Sequence, residues 1–242
     1  LLYIISLLPS VSAAVATEGA CGQQASWQFD SASGTLIILG SGKMDFGEHS
    51  PWFDLRDEIK TITVSKGITT LCRNAFSGLS EVETVNLPSS VHAIGENAFY
   101  NCYKLKNIAL DGVTEIGTYA FWGCSGLTTI TIPGQVSTIG YGAFSGCTGL
   151  TSVTISNGVK TIETDAFSGC WGIKEIVIPN TVTTINPGAF FGCRSLENIV
   201  LSKNLTKISS NLLQDCHSLK KIHIPDKVTS IGDYAFYNCR EL

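Results

Sequence analysis

Residues 127–150 read LTTITIPGQVSTIGYGAFSGCTGL, and the phrase A-F-x-x-C-x-x-L within this stretch returns about every 23 residues along the chain. A period of this length is typical of a solenoid, in which each unit is too small to bury its own apolar face and must stack on its neighbours. We therefore predict one elongated repeat solenoid, although a length of 242 residues would also allow one or two compact domains. The recurring apolar positions form two rows, which we call the phenylalanine row (Phe76, Phe99, Phe121, Phe144, Phe167, Phe190, Leu213 and Phe236) and the cysteine row (Cys102, Cys124, Cys147, Cys170, Cys193, Cys216 and Cys239).

Each unit contains signals for two short extended segments and one tight turn. Residues 130–132 alternate between apolar and polar side chains, which predicts a short strand with one buried face, and Pro133 ends it. Residues 136–139 form a second extended segment, followed by Gly140, where we expect a bend with no room for a Cβ atom. The spacing of A-F-x-x-C-x-x-L then predicts a single helical or 3₁₀ turn with one apolar side.

The two ends of the chain differ from the repeats between them. Residues 17–58 lack the repeat, and we predict a β-rich N-terminal cap, a hairpin closed by aromatic residues such as Trp27 and Trp52. Residues 59–242 then hold about eight units and stop in mid-repeat. We therefore expect the sequence to be truncated at its C-terminus and to be a fragment of a longer protein.

Residues 1–16 form an apolar stretch, LLYIISLLPSVSAAVA, that ends in small residues with an A-x-A pattern. This pattern is typical of the apolar part and cleavage site of a signal peptide. The alternatives are a buried strand or a membrane span, but a span needs about 20 apolar residues and Pro9 interrupts this stretch. We therefore expect a signal-peptide remnant, a secreted or cell-surface location, and no membrane span once the signal is removed.

The charge balance argues against a nucleic-acid partner. The chain has 16 basic and 20 acidic residues, a net charge of −4, and no basic run. The content of hydrophobic residues is 44% against 15% charged, which fits a core that runs the whole length of the molecule.

Nine cysteines do not predict a metal site here. Zinc ligands occur as close pairs, whereas the cysteine row has one member per unit, and we expect these thiols to be free, buried and inert. Cys21 and Cys72 stand outside this row, and two interpretations remain open for them: a disulfide that joins the cap to the array, or two separate buried thiols. His217 follows Cys216, but no catalytic motif accompanies them, so we expect no enzyme activity, cofactor or metal.

The solvent-facing strand positions vary from unit to unit, while the buried positions stay apolar. These variable positions either are ordinary solvated strand residues or display a binding surface. Two adjacent valines with charged neighbours make one region the strongest candidate for contact with a partner. The candidate patch consists of Lys174, Glu175, Val177, Glu197, Val200, Lys220, Lys221 and His223.

The unit L-x-x-I-x-I-P-x-x-V-x-x-I-G-x-x-A-F-x-x-C resembles the 23-residue leucine-rich repeat of the BspA-like surface proteins. The cap segments Trp27-x-Phe29-Asp30, Gly40-x-Gly42-x-Met44 and Ser50-Pro-Trp52 also resemble the region that precedes such repeats. The resemblance implies a right-handed leucine-rich repeat coil with a parallel sheet of short strands. It also implies a surface-displayed or secreted, adhesin-like protein, and it supplies no catalytic residues.

The function that we expect from these features is recognition of a protein or glycan, such as a host matrix protein, by a monomer without catalysis. The alternative is a structural spacer or display module that holds a further, C-terminal domain away from a surface.

Overall fold

The structure, a computed structural model, describes residues 17–47 and 49–242 of the chain. The chain winds into a solenoid of about nine turns, which confirms the predicted repeat fold. Each turn of the solenoid, called a coil below, has three sides: a first sheet side, a second sheet side and a turn side. The predicted signal segment, residues 1–16, lies outside the described residues.

The strands are two to six residues long, and most of them pair in parallel with the equivalent strand of the next coil. The first sheet side holds β1 (Glu18–Ala20), β2 (Ala25–Asp30), β3 (Thr35–Gly40), β5 (Thr61–Val64), β7 (Thr84–Asn86), β10 (Thr129–Ile132), β12 (Ser152–Ile155), β14 (Glu175–Val177) and β16 (Asn198–Val200). The second sheet side holds β4 (Gly42–Lys43), β6 (Ile68–Leu71), β8 (Ala93–Ile94), β9 (Glu115–Ile116), β11 (Thr138–Ile139), β13 (Thr161–Ile162), β15 (Thr184–Ile185), β17 (Lys207–Ile208) and β18 (Ser230–Ile231).

The strand register follows the sequence period. In the pair β10 and β12, Ile130 lies beside Val153 and Ile132 beside Ile155, so equivalent residues of neighbouring coils meet. The isoleucines point into the core, while Thr131 between them is exposed. Alternation within a strand therefore separates an apolar interior from a polar surface, as the sequence pattern predicts. At the bend after β11, a Cβ on Gly140 would lie 2.6 Å from the Ile116 carbonyl oxygen, so only glycine fits.

On the turn side, the phrase A-F-x-x-C-x-x-L forms successive tight turns of the 3₁₀ type, in line with the predicted single turn. The amides of Ala143 and Cys147 donate to the carbonyls of Gly140 and Phe144, three residues back, at 3.1 and 3.2 Å. The amide of Phe144 instead donates to Ala166 of the next coil, at 2.8 Å. Because amides between these turns bond across coils, a continuous helix does not form.

Two positions on the turn side hold left-handed backbone in coil after coil, which explains their composition. The first position lies two residues before each member of the phenylalanine row, as does Asn74, whose φ is 57°. The second lies two residues after each member, as does Gly146, whose φ is 71°. Glycine and asparagine adopt this conformation at the least cost. Tyr119 and Tyr234, with φ values of 53° and 58°, are bulky exceptions.

The phenylalanine row lies inside the turn side as a continuous stack. Ring centroids of neighbouring members from Phe76 to Phe190 are 5.1 to 5.6 Å apart, and the central rings are nearly parallel. These rings are fully buried, whereas Phe236 in the last coil is only partly buried. The array is therefore held by contacts between neighbouring coils, as expected of a solenoid.

The cap is continuous with the coils. Strand β2 pairs antiparallel with β1 on one side and with β3 on the other. Strand β3 then pairs in parallel with β5 of the first coil. Trp52 takes the place of a phenylalanine, because its ring stacks on Phe76 at 5.6 Å, and Trp27 packs on the edge of Trp52 at 5.9 Å. Residues 35–47 and 49–58 therefore follow the path of a coil although they lack the repeat motif.

Candidate binding surface

An open groove crosses strands β12, β14 and β16 on the first sheet side. It has a volume of about 1090 Å³ and is lined by residues between Thr151 and Lys203. A second depression of about 420 Å³ adjoins it at Val200 and reaches His223 and Pro225. We call the following exposed residues, each of which lines at least one of these depressions, the sheet groove: Lys174, Glu175, Val177, Val200, Lys203, Lys221 and His223.

Two valines form the apolar centre of the sheet groove. Val177 and Val200 are direct partners in the parallel pair of β14 and β16, so their side chains lie next to each other. Their exposed fractions are 61% and 49%, and the equivalent positions in β10 and β12 hold Thr131 and Thr154. Branched apolar side chains thus face solvent where β10 and β12 have threonine, so water solvates this part of the sheet surface less favourably than it solvates those threonines.

The charged residues at the edge of the groove bond partly to one another. The carboxylate of Glu197 accepts a hydrogen bond from Lys220 at 2.6 Å. This bond, the charge of Lys220 and the charge of Lys174 together hold the pKa of Glu197 below its usual range. The same bond raises the pKa of Lys220. Glu197 and Lys220 therefore link neighbouring coils, as Glu83 and Lys106 do at 2.5 Å near the other end of the array.

The lining of the groove is positively charged. It includes Lys174, Lys203 and Lys221 but only one carboxylate, that of Glu175, while the whole chain has a net charge of −4. The residues that line the two depressions include no Phe, Tyr or Trp side chain. The groove thus combines a positive charge with an exposed apolar pair.

The structure places the predicted patch in two groups. Lys174, Glu175, Val177, Val200, Lys221 and His223 line the groove, whereas Glu197 and Lys220 form the ion pair at its edge. Sequence reasoning missed Lys203, since it considered the exposed strand positions and the charged residues just before them, and Lys203 lies three residues beyond the end of β16. Its backbone amide bonds to the Asn180 side chain of the previous coil at 2.9 Å, which places it beside the strand ends. A comparison of the residues that follow each strand would have found it.

The cysteine row lies in the core as free thiols. The Cys147 thiol donates to the Phe121 carbonyl of the preceding coil at 3.2 Å, and the same bond recurs along the row. Burial raises the pKa of Cys102 and of Cys170 to about 12. These thiols are therefore protonated and unreactive at neutral pH. Within residues 17–47 and 49–242, no cluster of three His, Cys, Asp or Glu side chains is arranged to hold a metal ion.

Cys21 and Cys72 are also free thiols in the structure, in the cap and the first coil. Burial raises the pKa of each to about 11, and for Cys21 the charge of Cys72 contributes to the shift. The amide of Asp45 donates to the Cys21 carbonyl at 2.7 Å, and Asp45 lines the depression that also contains Cys72. Both cysteines therefore lie beside the segment after β4.

The adjacent residues Cys216 and His217 do not form a catalytic pair. The Cys216 thiol is buried and donates to the Phe190 carbonyl at 3.3 Å, and burial raises its pKa far above the ordinary value. The His217 ring instead lies 3.8 Å from the Asp215 carboxylate and 3.2 Å from the Asn238 amide nitrogen. The thiol is thus held away from the imidazole.

In the part of the chain that the structure describes, no helix has the length and apolar character needed to cross a membrane.

Comparison with known proteins identifies the repeat. A family model described as BspA type leucine rich repeat region (6 copies) matches residues 50–171 and 114–242. No curated protein matches this chain.

Several solved structures are similar. A leucine-rich repeat protein from Bacteroides ovatus ATCC 8483 is 26% identical with a TM-score of 0.73, and the match covers 91% of this chain and 69% of that chain. A leucine rich repeat protein from T. pallidum is 24% identical with a TM-score of 0.55, over 89% of this chain and 86% of that one. A leucine rich cell surface protein from Faecalibacterium prausnitzii A2-165 is 24% identical with a TM-score of 0.48, over 91% and 86%. Since the family model spans residues 50–242 in two overlapping matches, the chain belongs to the BspA-type leucine-rich repeat family.

Proposed function

We propose that this protein is a secreted or cell-surface repeat protein that recognises a protein or glycan partner without catalysis, in the manner of an adhesin. The observation that carries the proposal is the sheet groove, where Val177 and Val200 are exposed side by side among lysines. A solenoid of this kind is a rigid scaffold that presents a long regular surface, which suits binding better than chemistry. The export-like sequence of residues 1–16 supports the location.

Binding of the full chain as a monomer to immobilised extracellular matrix proteins and to a glycan array tests this function. We expect binding that is lost in the Val177→Asp variant and weakened in Lys221→Glu. Lys221 is a better target than Lys220, because Lys220 is paired with Glu197 and its reversal would also disturb the stacking of coils. Thr131→Asp, at the equivalent exposed position of β10, is the matched control and should bind normally.

The results distinguish binding from its location. Binding that survives Val177→Asp leaves an adhesin whose contact surface lies elsewhere. No binding to any probe by a folded chain contradicts the adhesin proposal.

A spacer or display module is the second candidate, and the stacked phenylalanine row favours it. Five successive ring contacts and amide bonds between coils make the array a stiff rod. A folded chain that binds no probe, joined in the full gene to a large further domain, would support this function over the first.

A further inference from the structure

The sheet groove also indicates the chemistry of its partner, and this inference rests on the proposed function. Val177 and Val200 expose branched apolar surface at the centre of the groove. Burial of apolar surface stabilises a complex by about 25 cal/mol per Å². An occupant that gains from these side chains must carry apolar groups of its own at matching positions.

The lysines around the valines select for negative charge. Glu197 and Lys220 neutralise each other, so their ion pair adds little to the net charge that an incoming ligand meets. The lining lysines Lys174, Lys203 and Lys221 outnumber Glu175 on an otherwise acidic chain. Such a patch attracts an acidic ligand and repels a basic one.

The composition of the groove distinguishes a polypeptide from a polysaccharide. A neutral glycan is usually held by a platform of Trp, Tyr or Phe rings, and the residues lining the two depressions include none of these. A sulfated glycan would satisfy the lysines, but it has no apolar side chain to cover the valines. A polypeptide can supply carboxylates and branched apolar side chains together.

We propose that the sheet groove binds an extended polypeptide segment that carries acidic and branched apolar side chains. Its acidic groups face Lys203 and Lys221, and its apolar groups cover Val177 and Val200. The groove crosses several strands that lie about 4.8 Å apart, so an extended segment can contact neighbouring coils in succession.

Selection of random 12-residue peptides displayed on phage against the full chain tests this proposal. We expect the selected peptides to be rich in Asp and Glu together with Val, Ile or Leu. A synthetic peptide of the selected sequence should bind at least tenfold more weakly to the double variant Lys203→Glu/Lys221→Glu. It should also bind at least tenfold more weakly to Val177→Thr/Val200→Thr, in which both positions carry the threonine of β10 and β12. Lys207→Glu, a reversal on the second sheet side, is the matched control and should not change the affinity.

Heparin, tested on the same variants, separates the two polymer classes. Suppose that no peptide is selected, that heparin binds the parent and Val177→Thr/Val200→Thr, and that it does not bind Lys203→Glu/Lys221→Glu. This result assigns the groove to an anionic glycan and overturns the proposal. Selected peptides that are neutral or basic, or that bind both double variants of the groove normally, also overturn it. If matrix binding still depends on Val177 while no acidic peptide is selected, only the chemistry assigned to the partner fails and the proposed function stands.

Discussion

Phe144 shows how one side chain contributes to two interfaces at once. Its ring lies 5.1 Å from Phe121 and 5.4 Å from Phe167, nearly parallel to both, and is fully buried. The small Ala143 beside it is buried as well. Removal of such a ring therefore weakens the contacts with both neighbouring coils.

We expect Phe144→Ala to lower the free energy of unfolding by about 3–5 kcal/mol, the usual cost of deleting a buried phenylalanine ring. Denaturation by guanidinium chloride, followed by circular dichroism, measures this loss. Phe144→Leu should cost clearly less, since Leu213 already occupies the same position in another coil. Ser145→Ala, on the outer surface of the turn, should stay within about 0.5 kcal/mol of the parent. Equal losses for the alanine and leucine variants would argue against stacking as the source of stability.

The buried thiols predict alkaline destabilisation. Their pKa in the folded state, about 12 for Cys102 and Cys170, lies above the ordinary value of 9.0. Because the folded state holds the thiol proton more tightly, the contribution of each thiol is complete below pH 9 and is lost as the pH rises towards 12. Between pH 8 and pH 10.5, the unfolding temperature should fall less for the double variant Cys102→Ala/Cys170→Ala than for the parent. An unchanged pH dependence would contradict the assignment to these thiols.

Gly146 tests the left-handed positions on the turn side. Its φ is 71°, and a Cβ atom there would come no closer than 3.6 Å to the neighbouring coil. Gly146→Ala should therefore cost about 1–2 kcal/mol through backbone conformation alone. Gly146→Asn should cost less, since Asn101 and Asn238 already hold the equivalent position at positive φ. If Gly146→Asn lowers the free energy of unfolding more than Gly146→Ala in chemical denaturation, side-chain contacts and not backbone conformation determine the cost at this position.

At the scale of the element, the strands and the tight turns differ in how well the sequence predicts them. The strands follow from alternation, as in residues 130–132, since one buried face needs an apolar residue at every second position. The 3₁₀-type turn also follows from the spacing of its apolar residues, but spacing alone does not show where the remaining amides bond. The amides of Phe144 and Gly146 donate to the next coil, and that partner is not visible within one unit.

Cys21 in the cap and Cys72 in the first coil are the two thiols that a disulfide between the cap and the array would use. We expect a mild disulfide oxidant such as oxidised glutathione to join them, with the loss of two hydrogen atoms, because both lie beside the segment after β4. Peptide mapping by mass spectrometry identifies the pair, and the bond should raise the unfolding temperature of the cap. Cys21→Ser is the control, and it should leave Cys72 reduced. A parent chain that stays fully reduced supports two separate thiols.

The whole molecule behaves as a one-dimensional array, because each coil contacts only its neighbours. Deletion of residues 145–167 removes one full unit and joins Phe144 to Ser168 in the same register. We expect this shorter chain to fold, with an unchanged circular dichroism signal per residue and moderately lower stability. Deletion of residues 145–156, about half a unit, shifts every later side chain out of its row and should abolish cooperative unfolding. A folded half-unit deletion would contradict the array.

The repeat made the overall architecture predictable, since its period decides which residues meet. The candidate surface was predictable only in part. Val177 and Val200 are visible as apolar residues at variable strand positions, whereas the pairing of Glu197 with Lys220 depends on side-chain geometry between coils. Trp52 was recognised as a cap residue, but its place at the head of the phenylalanine row appears only when the coils are stacked.

The antiparallel hairpin of β1 and β2 has a consequence for association between molecules. A parallel edge strand would offer its free amides and carbonyls as a template on which a second molecule could continue the winding. Among residues 17–47 and 49–242, the outermost strand of the cap is β1, which is only three residues long, is exposed, and runs opposite to β2. The parallel strands of a second molecule therefore cannot continue the sheet in register at β1, which disfavours the growth of filaments from the cap.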